Sequence, residues 1–306
     1  MASVTLLESA KLSQDMLISG IIETIVTVDR FFEVFPFHEI EGNALSYNRE
    51  NAMGDVQNLG VGGTITAKAA ATFTNVTTGL TTILGDAEVN NLIQATRSNI
   101  QDQKAAQIAS KAKNIGLTYR DQLISGDGTA DTIEGLLSLC AAGQTIASAG
   151  ANGDALSFEV LDALLDKVTD KNGVVDYIQM NSRTLRSYFA LLRALGGAGI
   201  SEVVTLPSGV SVPGYRNVPI FRNDNIPIDQ TRGTTTTATS VLAGTLDDGS
   251  MQVGCAGITA VGDSGIRVTD IGESETKDEN ITRVKFYNGF ALFSELGLAM
   301  ATGITN

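Results

Sequence analysis

Apolar residues between Thr5 and Val28 fall close to helical spacing, at Leu6, Leu12, Met16, Leu17, Ile21, Ile22, Ile25 and Val26, which predicts at least one amphipathic helix. An aromatic cluster follows, with Phe31, Phe32, Phe35 and Phe37 crowded around Pro36. Two readings compete there: a local core beneath an N-terminal arm, or an anchor that docks on a neighbouring subunit. From Val56 to Leu84 the pattern changes character, because Lys68 is the one charged residue and Gly, Thr, Ala and Asn dominate. Threonines at 64, 66, 72, 74, 77, 78, 81 and 82 favour extended backbone, and Gly60, Gly62 and Gly63 mark a bend, so a long two-stranded excursion is expected. It has too few large apolar residues for a domain of its own, and an isolated hairpin is marginal in water. Either it lies at the periphery of its own domain or another copy orders it.

Helical spacing returns from Glu88 to Ile124, where Ile108, Ala112, Ile115, Tyr119 and Leu123 form an apolar stripe between polar Gln101, Lys104, Lys111 and Lys113. Unbroken, this helix is about 50 Å long at 1.5 Å per residue. Gly116 is its weak point, costing about 1 kcal/mol relative to Ala, and Ser125-Gly126-Asp127-Gly128 ends it. Helix and strand then alternate. Asp154 or Ser157 caps a helix bearing Phe158, Leu161, Leu164, Leu165 and Val168, and Val174 to Met180 reads as a strand. Asn181 or Ser182 caps a second helix bearing Leu185, Phe189, Leu192 and Leu195. Pro207, Pro213, Pro219 and Pro227 punctuate short strands that must be edges or interrupted ladders. Thr234 to Thr237 reads as a mobile loop, and the remainder as strand, including Ile266 to Ile271 and Ile281 to Phe293 with Asn288-Gly289 as a turn. The class is α+β.

Composition narrows the function. The chain has 306 residues, and 34 acidic against 21 basic side chains give a net charge of −13. A surface that acidic repels phosphates, which disfavours nucleic-acid binding. The N-terminus lacks the pattern of a signal peptide, and no apolar run is long enough to span a bilayer, so no membrane role is expected. Cys140 and Cys255 stand alone and read as reduced and buried. The single histidine, His38, has no nucleophile motif beside it, and the glycine clusters lack phosphate-loop spacing. Asp121, Asp127 and Asp131 lack a calcium-loop pattern, and the acidic run from Asp270 to Glu279 reads as a solvated loop. No catalytic residue, metal ligand or cofactor is therefore assigned, and the chain is not expected to be an enzyme.

Taken in order, an arm, a long low-charge hairpin, one long helix, a helix-strand core and late strands resemble the major capsid proteins of tailed double-stranded DNA bacteriophages, the Hong Kong 97-type fold. The residues carrying the resemblance are the extended segment Glu39 to Val89, the helix Glu88 to Ile124 in the position of the spine helix, Val218-Pro219-Ile220 after Gly214, and Arg283 to Leu292. The resemblance implies an N-terminal arm over 1–38, an extended loop over 39–87 and a peripheral domain with the spine helix over 88–135. An axial domain follows over 136–257, with return strands and the C-terminal end over 258–306. It implies self-assembly into hexamers and pentamers of an icosahedral virion shell, built in the host cytoplasm, that encloses packaged DNA without reading its sequence. A separate scaffolding protein, a portal and a cement or decoration protein are the partners it implies. Lys68, Phe31 and Phe32 are the candidate assembly contacts. Some members cross-link a loop lysine to a neighbour's asparagine, and here only Lys68 has a counterpart. Two alternatives stay open: an encapsulin-type nanocompartment, whose loop is usually shorter, and an enzyme with a dispersed carboxylate site.

Overall fold

A computed structural model of the chain describes residues 30–97, 102–129, 131–148, 150–196, 203–262 and 265–306. The helix expected over Thr5 to Val28 lies outside them. The described chain opens on a 3-10 turn, Arg30–Glu33, and four strands follow: β1 (Phe37–Ile40), β2 (Ala44–Ala52), β3 (Thr72–Gly79) and β4 (Thr81–Asn90). Three helices come next, α1 (Asn91–Arg97), α2 (Gln103–Ser125) and the single turn α3 (Leu136–Leu139). After β5 (Thr145–Ala147), α4 (Phe158–Thr169) leads to β6 (Tyr177–Met180) and α5 (Ser182–Ala194). The rest is strand: β7 (Val203–Thr205), β8 (Ser211–Tyr215), β9 (Val218–Arg222), β10 (Gln230–Arg232), β11 (Thr235–Gly244), β12 (Cys255–Ala260), β13 (Arg267–Glu273), β14 (Glu279–Leu292) and β15 (Leu298–Ile304).

These strands form two sheets and a separate ribbon. A five-stranded sheet runs β1-β12-β14-β13, with β4 on the other side of β14. An eight-stranded sheet runs β5-β15-β11-β6-β9-β8-β7, with β10 on β11, and β2 pairs with β3 alone. In the eight-stranded sheet β6 and β9 are parallel, joined through α5. The helices start where side-chain caps were expected, since Ser157 accepts from the Val160 amide and Asn181 from the Arg183 amide. Leu161, Leu164, Val168, Tyr188 and Leu192 then bury a shared face on Ile178, Ile220, Val241 and Ala301. A second core sits where α2 meets both sheets. There Ile115, Tyr119 and Leu123 pack with Phe31, Phe35, Tyr177, Phe221, Phe286 and Phe290.

Three expectations need correction. The long helix does not begin at Glu88, because residues 88–90 finish β4, paired as Ile281↔Glu88, Asn280↔Val89 and Glu279↔Asn90. A ladder of ten consecutive pairs outweighs a helical period at its end. The spine begins instead at Gln103, where the Asp102 carboxylate accepts from the amides of Lys104 and Ala105. It then runs through Gly116 to Ser125, about 35 Å for 23 residues. Asn288-Gly289 is not a turn but lies inside β14, and neither residue has a positive φ. Glycine serves close approach there, since a Cβ would stand 2.6 Å from Ile258 Cγ1 and 2.9 Å from the Gly79 carbonyl oxygen. Finally, Thr235 to Thr237 open β11, and the reversal before them is made at Gly233, with φ +58°.

Candidate assembly surface

The β2–β3 ribbon carries the low-charge segment away from both cores. Its ladder runs from Ala44↔Gly79 to Ala52↔Thr72. Polar pairs hold it: on one face Ser46 with Thr77 at 2.9 Å and Asn75 with Asn48 at 2.9 Å, and near the end of the ladder Asn51 with Thr74 at 2.5 Å. Beyond residue 52 the ladder stops, and side chains order the tip. The Gln57 carbonyl oxygen accepts from the amides of Thr66 and Ala67, both at 2.7 Å, while its amide donates to the Thr64 carbonyl. The reversal uses Gly62, at φ +83°, a conformation open to glycine.

Little of the ribbon is covered by its own chain. Val56 is 95% exposed and Phe73 65%, and Met53, Leu59, Val61 and Ile65 are exposed with them. Leaving such a set of apolar side chains in water forfeits about 25 cal/mol for each Å² that a partner would cover. Grooves of about 510 Å³ and 920 Å³ flank the root of the ribbon, where it leaves the body of the protein.

That root is pinned by two residues that sequence reasoning missed. Tyr47 Oη donates to the Leu292 carbonyl at 2.8 Å, and its ring meets Phe293 edge-on at 5.1 Å. Arg49 Nε donates to the Phe293 carbonyl at 3.2 Å, while its guanidinium also reaches the Leu292 carbonyl and the Glu295 carboxylate. Leu45 and Tyr47 pack on Ile40, Ala256, Ile258, Ala291 and Phe293. The alternation Leu45, Tyr47, Arg49 on one strand face was the available signal. Farther along β14, Arg283 binds Asp86 of β4 through two contacts of 2.8 Å. The hydrogen bond from Arg283 holds the Asp86 carboxyl below its ordinary range, against the opposing effect of burial.

The three candidate contacts are not brought together. Lys68 is exposed on the ribbon tip. Phe31 is 1% exposed, with its ring centroid 4.9 Å from Tyr177 and 5.7 Å from Phe221, so it fills its own chain's core. Phe32 is half-buried against Phe35 and Tyr119.

The groups with reactive potential are tied up in structure. His38 Nε2 contacts Asp247 Oδ2 at 2.6 Å, which links β1 to the segment after β11. Burial pushes the Cys255 thiol up to about 12 and raises the Cys140 thiol, so neither is a thiolate at neutral pH. Among the described residues, no three His, Cys, Asp or Glu side chains converge as a metal ion requires, and no helix is long and apolar enough to cross a membrane.

No protein-family model matches the sequence, and no curated protein does either. The shape is matched closely by solved shells. The encapsulin SrpI of Synechococcus elongatus PCC 7942, solved as a holo complex, is 17% identical with a TM-score of 0.73, over 99% of this chain and 96% of that one. The capsid of an empty GTA particle is 14% identical with a TM-score of 0.68, over 99% of both chains. A phage G structure of gp27 major capsid proteins and gp26 decoration proteins is 14% identical with a TM-score of 0.63, over the whole of both. The chain has the Hong Kong 97-type capsid fold. In the Hong Kong 97-type fold the mixed α+β class follows, and these neighbours are capsid and shell proteins rather than enzymes. The fold is shared by phage major capsid proteins and encapsulins.

Proposed function

We propose that the chain is the major head protein of a tailed phage, assembling as hexamers and pentamers into an icosahedral shell around packaged double-stranded DNA. The observation that carries this reading is the β2–β3 ribbon, whose apolar tip is left exposed by the described residues and gains order by lying on another copy. A net charge of −13 supports the choice of cargo, because an acidic wall lets DNA be packed and released without adhering. On this reading Lys68 belongs to the contact between copies, Phe31 and Phe32 brace the base of the arm, and the arm, loop, peripheral and axial divisions follow the expected boundaries. A scaffolding protein, a portal and a cement or decoration protein are its partners, the last by analogy with the phage G structure. Assembly takes place in the host cytoplasm, and the finished location is the virion.

A second reading, an encapsulin-type compartment, is favoured by the likeness to SrpI at a TM-score of 0.73. The length of the ribbon argues for the phage head. Electron microscopy of particles purified after coexpression with neighbouring genes decides between them, combined with nuclease treatment and mass spectrometry of the contents. Nuclease-protected DNA is the expected result. A shell holding one folded enzyme establishes the encapsulin reading, and a chain that stays monomeric removes both.

A further inference from the structure

Helices α4 and α5 lie side by side on one face of the eight-stranded sheet, sharing a core and joined by the edge-on contact of Phe158 and Tyr188 at 6.3 Å. Their outward faces carry opposite charge. On α4 and the residue that caps it stand Glu159, Asp162, Asp166 and Asp170, steps of three, four and four that share one helix face. On α5 stand Arg183, Arg186 and Arg193, with no acidic residue in the helix and with Ala190 between them. Like charges four residues apart destabilise a helix, and both Asp162/Asp166 and Asp166/Asp170 have that spacing.

The chain answers these charges only in part. Arg216, in the turn between β8 and β9, reaches Asp162 at 3.3 Å and Asp166 at 3.5 Å, one cation among four carboxylates. Arg183 donates to the Thr237 carbonyl. Among the described residues, Glu159, Asp170, Arg186 and Arg193 join no ion pair, and all four are exposed. The small outward residues Ala163 and Ala190 let another helix come close.

We propose that the two stripes are the halves of one contact between copies, the acidic face of α4 on one subunit docking on the basic face of α5 on the next. The inference rests on the shell reading and names residues for one of its contacts. A second copy is the occupant because each chain carries both halves, and a contact between unlike surfaces propagates head to tail and closes into a ring where the rotation allows. Complementary charge of this kind fixes register and partner more than it adds affinity.

Two double variants test it: Arg186→Glu with Arg193→Glu, and Asp166→Lys with Asp170→Lys. All four positions are exposed, and Arg216 keeps Asp162 when it loses its surface contact with Asp166, so circular dichroism stays at wild-type values and the melting temperature falls by no more than about 2 °C. Each variant alone is expected to lower the yield of assembled particles about tenfold, read by sedimentation and electron microscopy. Coexpressed, the two are expected to restore rings, because at the exchanged positions one now carries acidic groups on both helices and the other basic groups on both, so that each face again meets its opposite across the contact. Such copies must alternate, so sixfold rings form while fivefold rings do not close. Wild-type yields from both variants, or folded variants that fail to rescue each other, overturn the proposal and leave the shell reading standing. A wild-type chain that never assembles overturns both.

Discussion

Asp86 and Arg283 show how a single pair carries a pH dependence. The carboxyl is held below its unfolded value, so the pair's contribution is present above about pH 4 and is lost as the pH falls through the lowered folded value. Asp86→Asn is expected to melt lower than the wild type at neutral pH, and the gap is expected to close as the pH is lowered below about 4. Thermal melts of the unassembled chain at several pH values check this, and a gap that holds constant across the range refutes it. Other single residues resist reading from the chain alone. Asn288-Gly289 has the composition of a hairpin turn, yet its glycine is there because Ile258 and the Gly79 carbonyl fill the space that a Cβ would take. Tyr47 is bound to a carbonyl 245 residues away, a distance along the chain that no local pattern spans.

At the level of elements, legibility followed how local the determining forces are. Helices α4 and α5 were readable because cap, apolar period and terminating glycine all lie within about fifteen residues. The tip and the return strand β3 were readable from the missing charge, but the first strand was not, because β2 carries Arg49 and Glu50 and lies upstream of the low-charge stretch. The start of the spine helix was not, because β14 recruits residues 88–90 from nearly two hundred positions downstream. The ribbon also permits a clean separation of folding from assembly. Replacing residues 53–71 with a two-residue Asn-Gly turn removes a tip that contributes nothing to either core, since those cores are built from residues outside it. The unassembled chain is therefore expected to keep its melting temperature within about 2 °C while particle formation is lost. A truncated chain that still builds particles shows that the tip is dispensable for contact between copies.

At the level of the whole molecule, the expected α+β class agrees with the structure, and the two-sheet arrangement explains why no linker separates independent units: the core around Phe31, Tyr177 and Tyr119 is shared by both sheets and the spine. The overall charge sets how the protein meets DNA. With −13 on each subunit, the purified chain is expected not to retard duplex DNA in a gel at about 0.1 M salt, where attraction would require a basic face. Retardation that weakens as salt is raised shows that such a face exists. The placement of β14 has a mechanical consequence. This 14-residue strand is paired with β4 over ten positions, and its far end is held by Tyr47 and Arg49 at the ribbon's root. A pull on the ribbon tip along the strand direction thus loads ten pairs at once rather than opening them one by one. The strand works as a tie-beam, passing tension from the outlying ribbon directly into the five-stranded sheet.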